Sequence, residues 1–190
     1  MKKIEIDSPF HHILKTPFGP VALLWSIYKG QPKIMRILLS KPGASANQLI
    51  KTLFSDSVSY SCAEVDLVAN QIAEFLSGSD IRFSLDIACL NICTKFQQKV
   101  LLAEHGIPRG SVSTYQRIAG YLGVANGARA VGTALAKNPF PILIPCHRAI
   151  RTDGTLGGYQ GGLEMKRTLL EMEGIRFDKH GQVATKNFFY

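Results

Sequence analysis

Three prolines within seven residues, Pro139, Pro141 and Pro145, constrain this chain more than any other feature. Each locks its own φ and lacks a backbone N–H, and each pushes the residue before it (Asn138, Phe140, Ile144) toward an extended conformation. The segment 138–146 is therefore neither helix nor central strand but a stiff ledge, and it ends on Cys146-His147-Arg148. Neighbours on a regular strand face opposite ways, so Cys146 and His147 converge only in an irregular turn or through a bridging water. The thiolate is the reactive form of cysteine, and a base or a nearby positive charge raises its population. His147 supplies the base and Arg148 the field. A histidine in that role needs an acceptor to fix its tautomer, and Glu173 is the candidate.

Around this ledge the chain changes texture. Before residue 88 it reads as strands and helices in turn. Val21–Ile27 and Ile34–Leu39 are β-type runs joined by a Lys29–Pro32 turn, and Cys62–Leu76 carries a helical apolar period. Arg82–Ile87 alternates like a short strand. From Thr94 onward short helices start with clear caps. Thr94 precedes a helix with Phe96, Val100 and Ala103 on one face. Ser113 and Gln116 form a capping-box pattern, and Asn126 precedes a helix over Gly127–Lys137. That last helix has a small-residue face (Gly127, Ala128, Ala130, Gly132, Ala134) from which Arg129 projects. Its neighbour is close enough in sequence to suggest a helix-turn-helix. An Asp153-Gly154 turn suggests a hairpin wing, and Leu163–Met172 is a final amphipathic helix stopped at Gly174. A domain boundary is expected near residues 88–94, giving domains 1–92 and 93–190.

The charge is uneven. Residues 1–94 carry 9 Lys and Arg against 8 Asp and Glu, whereas residues 95–190 carry 13 against 6, so nearly all of the net +8 lies in the second half. That is compatible with nucleic acid as a partner, or with a solvated basic face. No stretch approaches the ~20 apolar residues of a membrane span. The opening residues have Lys2 and Lys3, then Glu5 and Asp7 where a signal peptide needs an apolar run, so an intracellular protein without a membrane is expected. Cys62, Cys89 and Cys93 match no zinc-ribbon spacing and read as core, and His11-His12 as surface.

Taken together, Phe96-Gln97, Ile107-Pro108-Arg109-Gly110, Thr114-Tyr115, Ala128–Gly132, Asn138-Pro139, Pro145–Arg148, Gly161-Gly162 and Glu173-Gly174 closely resemble the O6-alkylguanine-DNA alkyltransferases. The resemblance is strong over Phe96–Phe177 and loose before it, where Thr16–Pro20 is the main match. It implies an α+β fold: an N-terminal α/β domain of ribonuclease H type, then a mostly helical winged helix-turn-helix domain. It also implies direct, irreversible repair of O6-alkylguanine, and of O4-alkylthymine, in double-stranded DNA by a monomer that needs no cofactor and no metal. Cys146 would accept the alkyl group, with His147 deprotonating it through water and Glu173 orienting His147. Tyr115 would rotate the nucleotide and donate a proton, and Asn138 would brace the active-site strand. Arg129, Ala128, Ala130, Gly132, Thr114 and Arg148 would meet DNA. Pro141, Ala149, Tyr159, Gln160 and Lys166 would line the guanine pocket. Gln160 stands where many members carry serine, and Ala149 where valine is usual. A cytoplasmic location on the nucleoid, or a nuclear one in a eukaryote, is expected.

Three other readings use the same residues. Lesion-sensing relatives replace the acceptor cysteine, which Cys146 argues against. A winged-helix regulator needs a longer, more polar recognition helix than Ala128–Leu135. A thiol hydrolase leaves the basic half unexplained.

Overall fold

A computed structural model describes residues 9–185 and 188–190. The opening Lys2–Asp7 stretch lies outside the described residues. The chain divides into two compact units. The first comprises the sequence up to Ile92 together with Pro139–Leu143, and the second Cys93–Asn138 with Ile144–Tyr190. The proline ledge thus contributes its middle to the first unit and its two ends to the second.

The first unit is built on a four-stranded sheet ordered β3-β2-β1-β4, with β1 Phe10–Leu14, β2 Val21–Tyr28, β3 Gln31–Leu39 and β4 Val58–Ser59. Strands β1, β2 and β3 pair antiparallel, and β4 joins β1 in parallel. The β2–β3 connection is tighter than the expected four-residue turn. Lys29 (φ 52°) and Gly30 (φ 76°) form a two-residue loop of the kind that suits the strands' right-handed twist. Burial from Val21 to Ser26 is unbroken because β2 is covered on both faces. Helix α1 (Ala46–Leu53) packs Ala46 and Ile50 on Ala22, Leu24 and Leu38, and α2 (Ala63–Leu76) packs against β1, β2 and β3. Pro139 joins this unit through its carbonyl, which accepts from Ile37 N at 2.8 Å.

One expected strand is absent. Arg82–Ile87 forms no ladder, because Ser84 Oγ accepts from Asp86 N and donates to Asp86 Oδ2, closing a local turn. Only Ala88 bridges, to Ile34. Cys89 and Cys93 are buried as expected, while Cys62 is half-buried at the N-terminus of α2.

The second unit holds α3 (Lys95–His105), β5 (Ser113–Thr114), α4 (Tyr115–Tyr121), α5 (Ala128–Ala136), β6 (Ala149–Ile150) and α6 (Leu163–Met172). Helix α3 is capped by Thr94, whose hydroxyl accepts from Gln97 N, as the sequence suggests. Two caps differ. The α4 cap is Thr114, not Ser113, whose hydroxyl donates to Phe189 O instead. Asn126 does not cap α5. It sits at φ 53°, a left-handed conformation that Asn tolerates, and Gly127 takes the cap position without a side-chain bond. The expected wing is not a hairpin. Asp153 Oδ1 accepts from Thr155 N and Oγ1, which closes a tight turn, and β6 pairs in parallel with β5. No helix among the described residues is long and apolar enough to cross a membrane.

Candidate active site

The end of the proline ledge folds into the irregular turn that its sequence demands. Pro145 lies at φ −77°, ψ 57°, and Cys146 N donates back to Ile144 O at 2.7 Å. That is an inverse γ-turn, for which proline's fixed φ is preset. One 3₁₀ turn, Cys146–Arg148, follows, with Arg148 N donating to Pro145 O. All three side chains are buried.

Asn138 and Cys146 meet across this turn. The amide Nδ2 of Asn138 donates to Ile144 O (3.2 Å) and to Cys146 Sγ (3.3 Å). Gln160 Nε2 in turn donates to the Asn138 carbonyl at 2.5 Å. Burial pushes the Cys146 thiol up to about 11. The Asn138 hydrogen bond and the Lys166 charge pull it down, and Glu104 pushes it further up. At neutral pH Cys146 is therefore a thiol, and reaction requires a base.

His147 is fully buried, and its Nε2 lies 3.0 Å from Glu173 Oε1. A carboxylate only accepts, so Nε2 carries the proton and Nδ1 of the neutral ring is the basic nitrogen. Burial lowers the His147 pKa, against the raising effect of Glu173. Burial raises that of Glu173, but the hydrogen bonds and charges of His147 and Arg148 outweigh it and hold the carboxyl at about 2. The fork of Arg148 accounts for much of this. Its Nε and Nη2 donate to Glu173 Oε2 (2.9 Å) and Oε1 (2.7 Å), and Nη1 to Ile107 O (2.6 Å). Arg148 thus anchors Glu173, which orients His147.

The other walls come from α4, α6 and the loop before α6. A Cβ on Gly157, which lies at φ +67°, would fall 2.6 Å from the Tyr115 hydroxyl, so the loop presses its backbone on that phenol. Burial raises Tyr115 to about 12, which keeps it a hydrogen-bond donor. Tyr159 stands edge-on to His147, with ring centroids 6.3 Å apart. Lys166 is fully buried, its ammonium donating to Ala149 O (2.7 Å) and Leu156 O. Its burial lowers its pKa to about 8.

The family model described as 6-O-methylguanine DNA methyltransferase, DNA binding domain, matches residues 95–175. A methylated-DNA–protein-cysteine methyltransferase of Methanothermobacter thermautotrophicus is 45% identical over 109 residues, 57% of this chain and 61% of that protein. The match thus spans about three fifths of that relative's length. One from Methanosarcina barkeri is 34% identical over 164 residues, covering 86% of this chain and 96% of its own. The chain belongs to the methylated-DNA–protein-cysteine methyltransferase family. Among solved structures of the family, Mycobacterium tuberculosis OGT in complex with DNA superposes with a TM-score of 0.67 at 30% identity, covering 86% of this chain and 92% of that one. The mixed α+β fold is shared.

The residues that family resemblance implicates divide into three groups. The hydrogen bonds above join Cys146 to Asn138 and, separately, His147 to Glu173, and Tyr115 lies against Gly157. On α5, Arg129 and Ala130 are exposed, Ala128 and Gly132 half-buried, and an open depression is lined by Asn126, Ala128, Arg129, Ala130 and Thr133. Several residues sit otherwise than expected. Arg148 is not a surface DNA contact, because its guanidinium is buried on Glu173. Thr114 is 3% exposed and spends its hydroxyl on Arg117 N as the α4 cap. The Ala149 carbonyl receives the Lys166 ammonium, which is fully buried. Gln160 braces Asn138, and Pro141 belongs to the first unit. Sequence reasoning passed over Glu104, although it follows Val100 by four residues and so falls on the buried face of α3.

Proposed function

We propose that this protein repairs O6-alkylguanine, and O4-alkylthymine, in duplex DNA by moving the alkyl group onto Cys146, each molecule acting once. The observation that carries this is the buried thiol held by Asn138 on the same 3₁₀ turn as the His147–Glu173–Arg148 chain. Relatives named methylated-DNA–protein-cysteine methyltransferase, and an OGT structure titled as a DNA complex, support it. In this reading α4 and α5 form a helix-turn-helix, and the first unit is a structural domain of ribonuclease H type. The protein works as a monomer on chromosomal DNA, in the cytoplasm or in a eukaryotic nucleus.

The small-residue face of α5 enters the minor groove. Arg129 fills the space left by the flipped nucleotide, since the O6 substituent is out of a thiolate's reach in the stack. Tyr159, Ala149 and Gln160 line the base pocket, and Lys166 offers its charge there. His147 Nδ1 takes the thiol proton through a water. The sulfur then attacks the alkyl carbon, the S–C bond forming as the C–O6 bond breaks, and the electron pair goes to the guanine. Tyr115 donates a proton toward the leaving base, and the proton held by His147 restores the balance. The product is a thioether with no acyl carbon for water to attack, so the thiol is not regenerated.

Intact-mass measurement after incubation with a duplex containing O6-methylguanine tests this. A gain of one methylene-equivalent on the Cys146 peptide, absent in Cys146→Ala, is expected. Lesion binding without a mass gain refutes the reading in favour of a sensor.

A further inference from the structure

Among the described residues of the second unit, Glu104 is the one charged side chain that lies wholly inside the protein and that the mechanism above does not use. It is 0% exposed, and neither carboxylate oxygen has a hydrogen-bond partner among the described residues. A buried polar group in that condition is costly and calls for an explanation. Its helix, α3, packs directly on the Cys146–Arg148 turn and on α4 and α5. Ala103 O in the last turn of the same helix accepts from the Tyr190 hydroxyl at 2.8 Å, and Ile107 O, just past its end, accepts from Arg148 Nη1.

The groups around Glu104 can be named element by element. The 3₁₀ turn presents Cys146 and Arg148, α6 presents Lys166, α4 presents Tyr115, and the final segment presents Tyr190. All of these exchange electrostatic influence with Glu104. The charged residues of α5 and its C-cap, Arg129 and Lys137, and the Arg117 of α4, are exposed. The buried cation nearest in kind is Lys166, held by two carbonyls and making no ion pair with Glu104.

We propose that Glu104 is a positioning residue for alkyl transfer that acts on Cys146 through charge: neutral, it leaves Lys166 as the cation available to a thiolate, and ionised, it cancels that cation. The proposal rests on Cys146 being the acceptor. Burial raises the carboxyl to about 8, against the charges of Lys166 and Arg148, and brings Lys166 to the same region. The two groups titrate as a pair. Well below pH 8 the pair carries +1, and well above it −1, however the protons are shared. With Gln at position 104 the span is only from +1 to 0. The thiolate therefore loses less support with rising pH in Glu104→Gln than in the parent.

The experiment follows Cys146 ionisation by ultraviolet thiolate absorbance, with Cys146→Ser as the baseline. In parallel it measures single-turnover methyl transfer from an O6-methylguanine duplex, for the full chain and Glu104→Gln. The ratio of Glu104→Gln to parent in rate should rise about tenfold between about pH 6 and about pH 10, and the Cys146 thiolate absorbance of Glu104→Gln should exceed the parent's near pH 10, where the thiolate is measurable. A ratio that stays flat overturns the proposal, since a packing role alone shifts both pH values equally. Glu104→Leu, which removes the charge with a similar volume, carries the same comparison if the glutamine variant does not fold. Should neither protein accept a methyl group while the thiolate absorbance still differs as expected, the repair function fails and the alkyl-transfer role of Glu104 with it, and only the charge coupling between Glu104 and Cys146 stands.

Discussion

The chemistry of this site depends on which carboxyl carries charge. Glu173 is held at about 2 against an ordinary 4.5, so its charge stabilises the fold fully above about pH 4.5. That contribution, on the order of 3 kcal/mol, is lost as pH falls toward 2. His147 acts in the same direction at higher pH. Its pKa is lowered, so stability is lost as pH falls below about 6.5, where the unfolded chain binds the proton first. Urea denaturation between pH 7 and pH 3 should show both losses in the parent. Glu173→Gln should lack the lower one and be about 3 kcal/mol less stable at neutral pH, since Arg148 is left buried without its counter-charge. Equal acid slopes in the two proteins would count against this arrangement. Cys146, His147 and Glu173 were legible because a proline-stiffened Cys-His pair needs an acceptor and Glu173 ends the last helix. Arg148 was misplaced for a physical reason. A basic residue beside the nucleophile in a basic half reads as a DNA contact, and nothing local reveals that a distant carboxylate draws its fork inward.

Among the elements, the loop from the Asp153 turn to α6 sets the tolerance of the site. Gly157 combines φ +67° with a backbone pressed on the Tyr115 hydroxyl, so Gly157→Ala meets two obstacles. A side chain in the left-handed region costs on the order of 1–2 kcal/mol, and the new Cβ also displaces the phenol. Methyl transfer should slow by about tenfold or more, with far-ultraviolet circular dichroism unchanged. A parent-like rate would show that Tyr115 moves aside freely. Helices with strong caps were legible almost to the residue, as α3 after Thr94 and α6 before Gly174 show. The Ser45–Gln48 capping box of α1 was equally present in the sequence and went unused. The wing and the Arg82–Ile87 strand failed because short side chains (Asp153, Ser84) bonded to their own backbone and removed the residues from any ladder.

Among the described residues, the buried acidic and basic side chains are equal in number, Arg148 and Lys166 against Glu173 and Glu104, with Glu104 protonated well below pH 8. The basic excess of the second half is thus left undiminished by burial. The division into two units was visible as a change of texture near residue 92, but the return of Pro139–Leu143 to the first unit was not. Prolines report local stiffness, not which sheet a stiff segment joins. Phe140, Ile142 and Leu143 are each 0–1% exposed, and Ile142 holds φ 78°, a strained conformation for a β-branched residue. Residues 93–190 produced alone would leave these three without their partners, forfeiting about 1.5–3 kcal/mol for each. Light scattering should find that fragment self-associated, and a monodisperse fragment would show that the segment repacks.

The same excursion limits how such proteins can exchange parts. A gene crossover at the border between residues 92 and 93 does not swap one unit for another. It carries five residues of one parent into the first unit of the other, directly upstream of the nucleophile. Exchange between relatives should therefore succeed only where those five residues and the sheet they join have drifted together, which makes the two halves inherit as one.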